Sequence, residues 1–181
     1  PVKMRDTLVR QRTASITSLR GSMKSLGMRL PSSSSASFPK QARAMLGAEG
    51  RHDLLSIAEP ILLSIESLSK QIVAYDKIIE ETAAERYPAA ARLREIPGVG
   101  PITSLSFVLM IENADRFSDN RDVGAWLGLV PRRDQSGDSD KQMPISKAGN
   151  RYLRRLLVQS AQYILGHFGP DCDLKRYGQR I

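Results

Sequence analysis

The sequence predicts an all-α protein, with a long coiled-coil-like helical arm followed by a compact helical domain containing a helix-hairpin-helix-like element. Three observations carry this. Leu54, Ala58, Ile61, Ile65, Leu68, Ile72, Tyr75 and Ile79 recur at alternating spacings of four and three, the period of a coiled-coil seam. A Pro-Gly-Val-Gly turn at 97–100 joins two helical patterns. No segment of the 181 residues has the convincing period-two alternation of a strand.

Residues 1–87 are read as a basic helix, a Ser-rich connector and the arm. Over 3–28, Met4, Leu8, Ile16, Leu19, Met23 and Leu26 supply an apolar stripe, with Lys3, Arg5, Arg10, Arg12, Arg20 and Lys24 around it. Residues 31–39 form a polar, proline-bounded connector, and a short helix follows near 39–47. Pro60 either kinks the arm or marks its start near Glu59. Extra apolar residues at Leu55, Leu62, Leu63, Val73 and Ile78 make the stripe wider than a two-stranded seam needs. The arm is therefore expected to pair in cis with 3–28, with a second copy in a homo-oligomer, or both.

Residues 88–181 are read as the compact domain. Helices are expected at 88–95, 101–112, 120–128, 147–167 and 170–178, with Ser146 capping the long one. Leu153, Leu156, Leu157, Ser160, Ala161 and Ile164 form that helix's inward stripe. Between Pro131 and Pro144 the chain is too polar for a core and is read as a loop.

Composition narrows the function. One cysteine, Cys172, and two separated histidines, His52 and His167, exclude a disulfide framework and disfavour a zinc site. No apolar run approaches the ~20 residues needed to span a bilayer, and no signal segment opens the chain, so a cytoplasmic protein is expected. The chain begins at Pro1 rather than Met and is read as a piece of something longer. The net charge of +8 divides into +8 over residues 1–51, −5 over 52–131 and +5 over 132–181. Two basic ends favour a polyanionic partner.

The turn at 97–100 is where such a partner is expected. Gly98 and Gly100 permit a tight reversal, and the amides opening the next helix lack partners where the helix dipole favours an anion. Gly98, Val99, Gly100 and Thr103 are candidate phosphate contacts, as are the clustered Arg132, Arg133, Lys147, Arg151 and Arg154. The bland alternative is an ordinary helix-helix turn. In the polar loop, Gly137 would let a turn present the Ser136 hydroxyl. By itself a Ser-Gly pair is more often a turn than a nucleophile, and no histidine lies close in sequence to act as a base. A flexible phosphate-clasping loop fits the same residues.

Four segments in order carry a resemblance. They are Ile96-Pro-Gly-Val-Gly-Pro101, then Arg116-Phe117 with Trp126-Leu-Gly-Leu-Val-Pro131, then Gln135-Ser136-Gly137, then Ile145-Ser-Lys-Ala-Gly-Asn150 with Leu153-Arg154. Together they resemble the C-terminal domain of the insertion-sequence one-ten transposases, relatives of the Piv-type DNA invertases. Leu8-Val-Arg-Gln-Arg-Thr-Ala14 and Leu19-Arg-Gly21 resemble the segment before that family's helical arm.

The resemblance implies a site-specific DNA recombinase, guided in some members by a structured RNA. Its serine nucleophile would be Ser136. Its magnesium would be held by an N-terminal RuvC-like domain for which this chain has no counterpart, leaving no metal residues here and no cleavage by this chain alone. Two other readings stand beside it: a non-catalytic helix-hairpin-helix module that binds nucleic acid and oligomerises, and a helical scaffold whose charge is incidental.

Overall fold

The computed structural model describes residues 1–136 and 139–180. The elements in chain order are α1 (Val2–Ser25), α2 (Phe38–Ala48), α3 (His52–Arg86), α4 (Pro88–Leu93), α5 (Pro101–Ile111), a 3-10 turn (Ala114–Arg116), α6 (Asn120–Trp126), β1 (Pro131–Ser136), β2 (Ser139–Ile145), α7 (Arg151–Leu165) and α8 (Asp173–Gly178). The protein is mostly α. It divides into two compact units, Pro1–Ile79 and Glu80–Ile181, where the sequence suggested a boundary at 87/88.

In the first unit α1 pairs with α3 in cis. Arg5 Nε donates to Asp76 Oδ1, and Arg12 Nη1 donates to Ser69 Oγ at 3.2 Å. The two bonds lie seven residues apart on each helix and in opposite senses, so the helices run antiparallel, one heptad per step. The next step falls at Leu19 and Leu62, both in the apolar cluster that α2 completes with Phe38, Ala42 and Leu46. The seam on α3 therefore uses 58, 62, 65, 69, 72, 76 and 79. Leu62 is buried, whereas Ile61, expected in the seam, is exposed. Met4 and Leu26 of the expected α1 stripe are exposed as well.

Pro60 neither starts nor ends α3, which begins at His52 and runs through it. The proline lies on the exposed side, where a lost backbone donor is compensated by water. Arg43 on α2 reaches across to α3, donating to both carboxylate oxygens of Glu59 and to Glu66. The guanidinium's hydrogen bonds hold the Glu66 carboxyl below the usual glutamate range, and the two carboxylates raise Arg43 further above its already high value.

In the second unit α5 packs against α4 and α7. Its interior carries small polar residues, and Ser104 and Ser106 satisfy their hydroxyls on the carbonyls of Pro101 and Ile102. The segment expected as a loop is instead an antiparallel hairpin, β1 with β2. All six residues of β1 are exposed, so neither face has an apolar pattern to read. The register slips between Pro131 and Arg133, and β2 carries the extra residue beside Pro144, which has no backbone donor for a ladder. Helix α7 begins four residues later than expected. Its cap is Asn150, whose Oδ1 accepts from Leu153 N at 3.0 Å, and not Ser146. Along α7, Leu153, Ser160 and Ile164 are buried, Leu156 and Leu157 are half-buried, and Ala161 is exposed.

Candidate nucleic-acid interface

Three pieces of the second unit bear the candidate residues. The first is the turn before α5. Gly98 takes φ +80°, in the left-handed region that only glycine enters without strain. A Cβ there would come within 3.0 Å of the Ile164 and Tyr163 side chains and 3.2 Å of the Ser160 carbonyl. The turn is thus seated on α7. Gly100 caps α5 with extended backbone, and its Cβ position faces open space. Val99, Gly98 and Gly100 line an open cleft of about 370 Å³ together with Arg94 and Tyr163. Arg94 also pairs with Glu80 at 2.6 Å. Thr103, expected at this surface, is buried on α5.

The second piece is a platform of two closely apposed backbones, 126–130 and 146–150. Lys147 N donates to the Gly128 carbonyl at 3.0 Å and Ser146 N to Val130 O at 2.9 Å. A Cβ on Gly128, at φ +68°, would run into Lys147 and Ala148 backbone. One on Gly149 would overlap the Trp126 carbonyl and lie 2.7 Å from Leu127 Cα. Arg154 completes the platform, donating from Nη1 to Leu127 O at 2.9 Å and Gly149 O at 3.2 Å. Its positive end is therefore spent inward rather than offered to a phosphate as the sequence suggested. Lys147 and Arg151 are exposed, Lys147 with φ +58° at the hairpin base and Arg151 opening α7.

The third piece is the hairpin that the platform holds. Pro131 pairs with Ile145 at its clamped base, and Ser136 pairs with Ser139 at the far end. Ser136 shares a face with Asp134 and Lys141, which stand directly opposite each other. Among the described residues no side chain hydrogen-bonds the Ser136 hydroxyl. Arg132 reaches back to the Ser146 carbonyl at 3.4 Å, and Arg133 is exposed. Gly137, the end of the Gln-Ser-Gly motif, lies outside the described residues. The ordered motifs thus converge in two places. The 126–131 and 145–150 segments build the hairpin's base, and the 96–101 turn rests on the end of α7.

Sequence reasoning did not single out Arg94, Tyr163 or the inward role of Arg154. Arg94 is signalled only by lying two residues before Ile96 of the turn motif, and Tyr163 only by its spacing on α7. Among the described residues no group of three or more His, Cys, Asp or Glu could hold a metal ion. No described helix is long and apolar enough to cross a membrane.

Comparison with known proteins bears on this arrangement. Residues 90–177 match the domain model of the Transposase IS116/IS110/IS902 family. The chain is 29% identical over 180 residues to a transposase for insertion sequence element IS1111A of Coxiella burnetii, covering 96% of this chain and 48% of that protein. It is 30% identical over 177 residues to a probable family 20 transposase of Pseudomonas aeruginosa, covering 90% and 49%. A pilin gene-inverting protein of Moraxella lacunata is 30% identical over 93 residues, covering 51% and 28%. The chain thus spans about half the length, or less, of these curated relatives, and no solved structure matches it. The turn, platform, hairpin and α7 all fall within residues 90–177, and these residues form a domain of the Transposase IS116/IS110/IS902 family.

Proposed function

We propose that this chain is the C-terminal portion of a DNA transposase or site-specific recombinase, acting in the cytoplasm, and that it binds DNA and supplies Ser136 as the nucleophile for strand exchange. The observation that supports this most is the placing of Ser136, exposed at the far end of a hairpin whose base is immobilised by two close backbone approaches. In the proposed step the Ser136 Oγ–P bond forms as one P–O bond to a sugar breaks. The hydroxyl proton passes to a base, and the departing sugar oxygen gains a proton. One phosphate ester replaces another, so the reverse attack can rejoin strands without an outside energy source.

In this reading the base, like the metal, lies outside this chain. The magnesium implied by the family resemblance does not fit the described residues, for want of a donor set, and would be held by residues outside this chain. Lewis-acid assistance to the leaving oxygen would be its contribution when bound. The turn at 97–100, as the hairpin of a helix-hairpin-helix element, and the exposed Arg133, Lys147 and Arg151 hold phosphates in this reading. A structured guide RNA would be a second polyanion for the basic ends.

Self-association through the arm belongs to the same reading. Pairing with α1 leaves a second heptad seam on α3, with Ile57, Ile61 and Ile78 exposed and Leu68 and Tyr75 half-buried.

The test is covalent trapping. Full-length protein containing this chain, with guide RNA if it needs one, is given nicked target DNA and magnesium, then run on a denaturing gel. An adduct formed by wild type and absent in Ser136→Ala supports the reading. Strand exchange without an adduct, or an adduct that survives the substitution, returns the chain to a non-catalytic nucleic-acid-binding and oligomerisation module.

A further inference from the structure

Arg116 is a cation of this unit whose position is fixed while, among the described residues, its hydrogen-bonding edge stays unused. The backbone around it is tied on both sides. Asn113 Oδ1 accepts from Asp115 N at 2.9 Å, and Ala114 O accepts from Phe117 N at 3.1 Å. Just beyond, Ser118 Oγ and Asp119 N both donate to Asp122 Oδ2, at 3.0 and 3.1 Å. The side chain is held by two aromatic rings. Its guanidinium carbon lies 5.2 Å from the Phe117 centroid and 5.1 Å from that of Trp126, and the rings meet edge-on, 5.8 Å apart.

Stacking of this kind uses the guanidinium's face and leaves its N–H donors free. Among the described residues nothing accepts from them, although four carboxylates, Glu112, Asp115, Asp119 and Asp122, lie within six residues. Asp119 and Asp122 are engaged in the cap of α6, and neither Glu112 nor Asp115 makes an ion pair with Arg116. Other arginines of the unit are spent differently: Arg94 on Glu80, Arg154 on two carbonyls and Arg176 on Asp171. Trp126, one wall of the clamp, also supplies a carbonyl to the platform beneath the hairpin. The clamp and the base of the Ser136 hairpin are therefore anchored in one stretch of backbone.

We infer that Arg116 is a preorganised phosphate-binding residue that grips the backbone of duplex DNA through its planar fork, with Phe117 and Trp126 as its positioning residues. The planar donor set matches a phosphate's oxygens. Because the rings already restrict its rotamers, little side-chain freedom remains to be lost on binding. The inference rests on the proposed DNA-binding function and assigns that function a contact that the turn and the hairpin do not supply.

The experiment measures binding of the full-length protein to a short DNA duplex, and to an RNA duplex of the same sequence, between about 50 and 200 mM salt. Arg116→Ala is expected to weaken DNA binding several-fold and to lower the slope of log affinity against log salt by about 0.9, one phosphate's share. Arg116→Lys, which keeps the charge but not the fork, should keep the slope and regain part of the affinity. Arg116→Gln keeps a planar group over the rings without charge, and shows the same slope loss even if the alanine variant folds poorly. Wild-type DNA binding with slope and affinity unchanged in Arg116→Ala and Arg116→Gln overturns the inference alone. A loss confined to the RNA duplex overturns the assignment to DNA. Failure of the wild type to bind either duplex overturns the function on which the inference rests.

Discussion

Gly149 and Trp126 meet so closely that a single methyl group on Gly149 would overlap the Trp126 carbonyl oxygen. The obstacle is backbone on both sides, with no flexible side chain to swing away. Gly149→Ala should therefore destabilise the second unit by about 3 kcal/mol, at the upper end of overpacking costs, and Gly128→Ala similarly. Gly124, in the same α6 but facing open space, should behave oppositely, with Ala gaining about 0.5–1 kcal/mol from helix propensity. Thermal melts of the three variants check the contrast, and equal behaviour would remove the platform from the account.

The two glycines of the 97–100 turn should separate folding from binding. Gly98→Ala places a side chain at positive φ against α7 and is expected to cost about 2 kcal/mol. Gly100→Ala should melt like wild type, since its Cβ meets nothing within 4 Å. If the turn cradles phosphate, Gly100→Ala or a bulkier Gly100→Val weakens DNA binding in a folded protein. Undiminished affinity in Gly100→Val would leave the turn a packing device.

Acid should loosen the first unit through Glu66. Its folded-state pKa is depressed, foremost by the Arg43 hydrogen bonds, so its contribution is present above the ordinary glutamate pKa, about 4.3, and is lost as pH falls through the lower folded value. Asp53, lowered chiefly by its hydrogen bonds from Arg51, has the same sign. Urea melts of wild type and Glu66→Gln should differ near neutral pH and converge below about pH 4. A constant difference across that range would contradict the linkage.

Arg12 is expected to be replaceable. Its Nε is buried without a partner, and its bond to Ser69 is to a hydroxyl that already donates to the Ile65 carbonyl. Arg12→Met removes the orphaned donor and keeps the aliphatic packing, so stability should hold or rise by about 1 kcal/mol. A loss of more than that in equilibrium unfolding would show the Ser69 bond to be a principal tie.

The exposed seam on α3 gives a solution test. The double substitution Ile57→Glu and Ile78→Glu alters residues that are 64% and 45% exposed, so the melting temperature should scarcely move. If copies associate through the arm, sedimentation should show the variant one assembly state below wild type. The same sedimentation for both would rule this face out.

What the sequence revealed depended on which physical signal each element emits. The arm announced itself because Leu54, Ala58, Ile65, Ile72 and Ile79 are apolar and buried. The second column of its seam did not, because two positions are Ser69 and Asp76, answered by Arg12 and Arg5 from a helix more than fifty residues away. Hydrophobic periodicity chose Ile61 over Leu62 for the same reason. The hairpin was illegible because all six residues of β1 are exposed. Gly98 was legible as a turn residue, yet its seat against Ser160 and Tyr163 is a tertiary fact. Arg154 looked like any other surface cation until its carbonyl acceptors were in place.

The arginines on α1 also act as a length standard for the arm. A slip of seven residues would keep most apolar layers matched, since the pattern repeats. In one direction it would press Arg12 against the buried Leu62; in the other it would move Arg12 to Asp76 but set the buried Leu19 against Ser69. Apolar layers alone would tolerate such neighbouring alignments, and the polar positions Arg12 and Ser69 disfavour them. Over the roughly 36 Å of α1, the ends of the helix pair are therefore set to a single separation. Lengthening such an arm without losing its alignment takes whole heptads inserted in both helices together, so its evolutionary changes in reach should come in steps rather than by degrees.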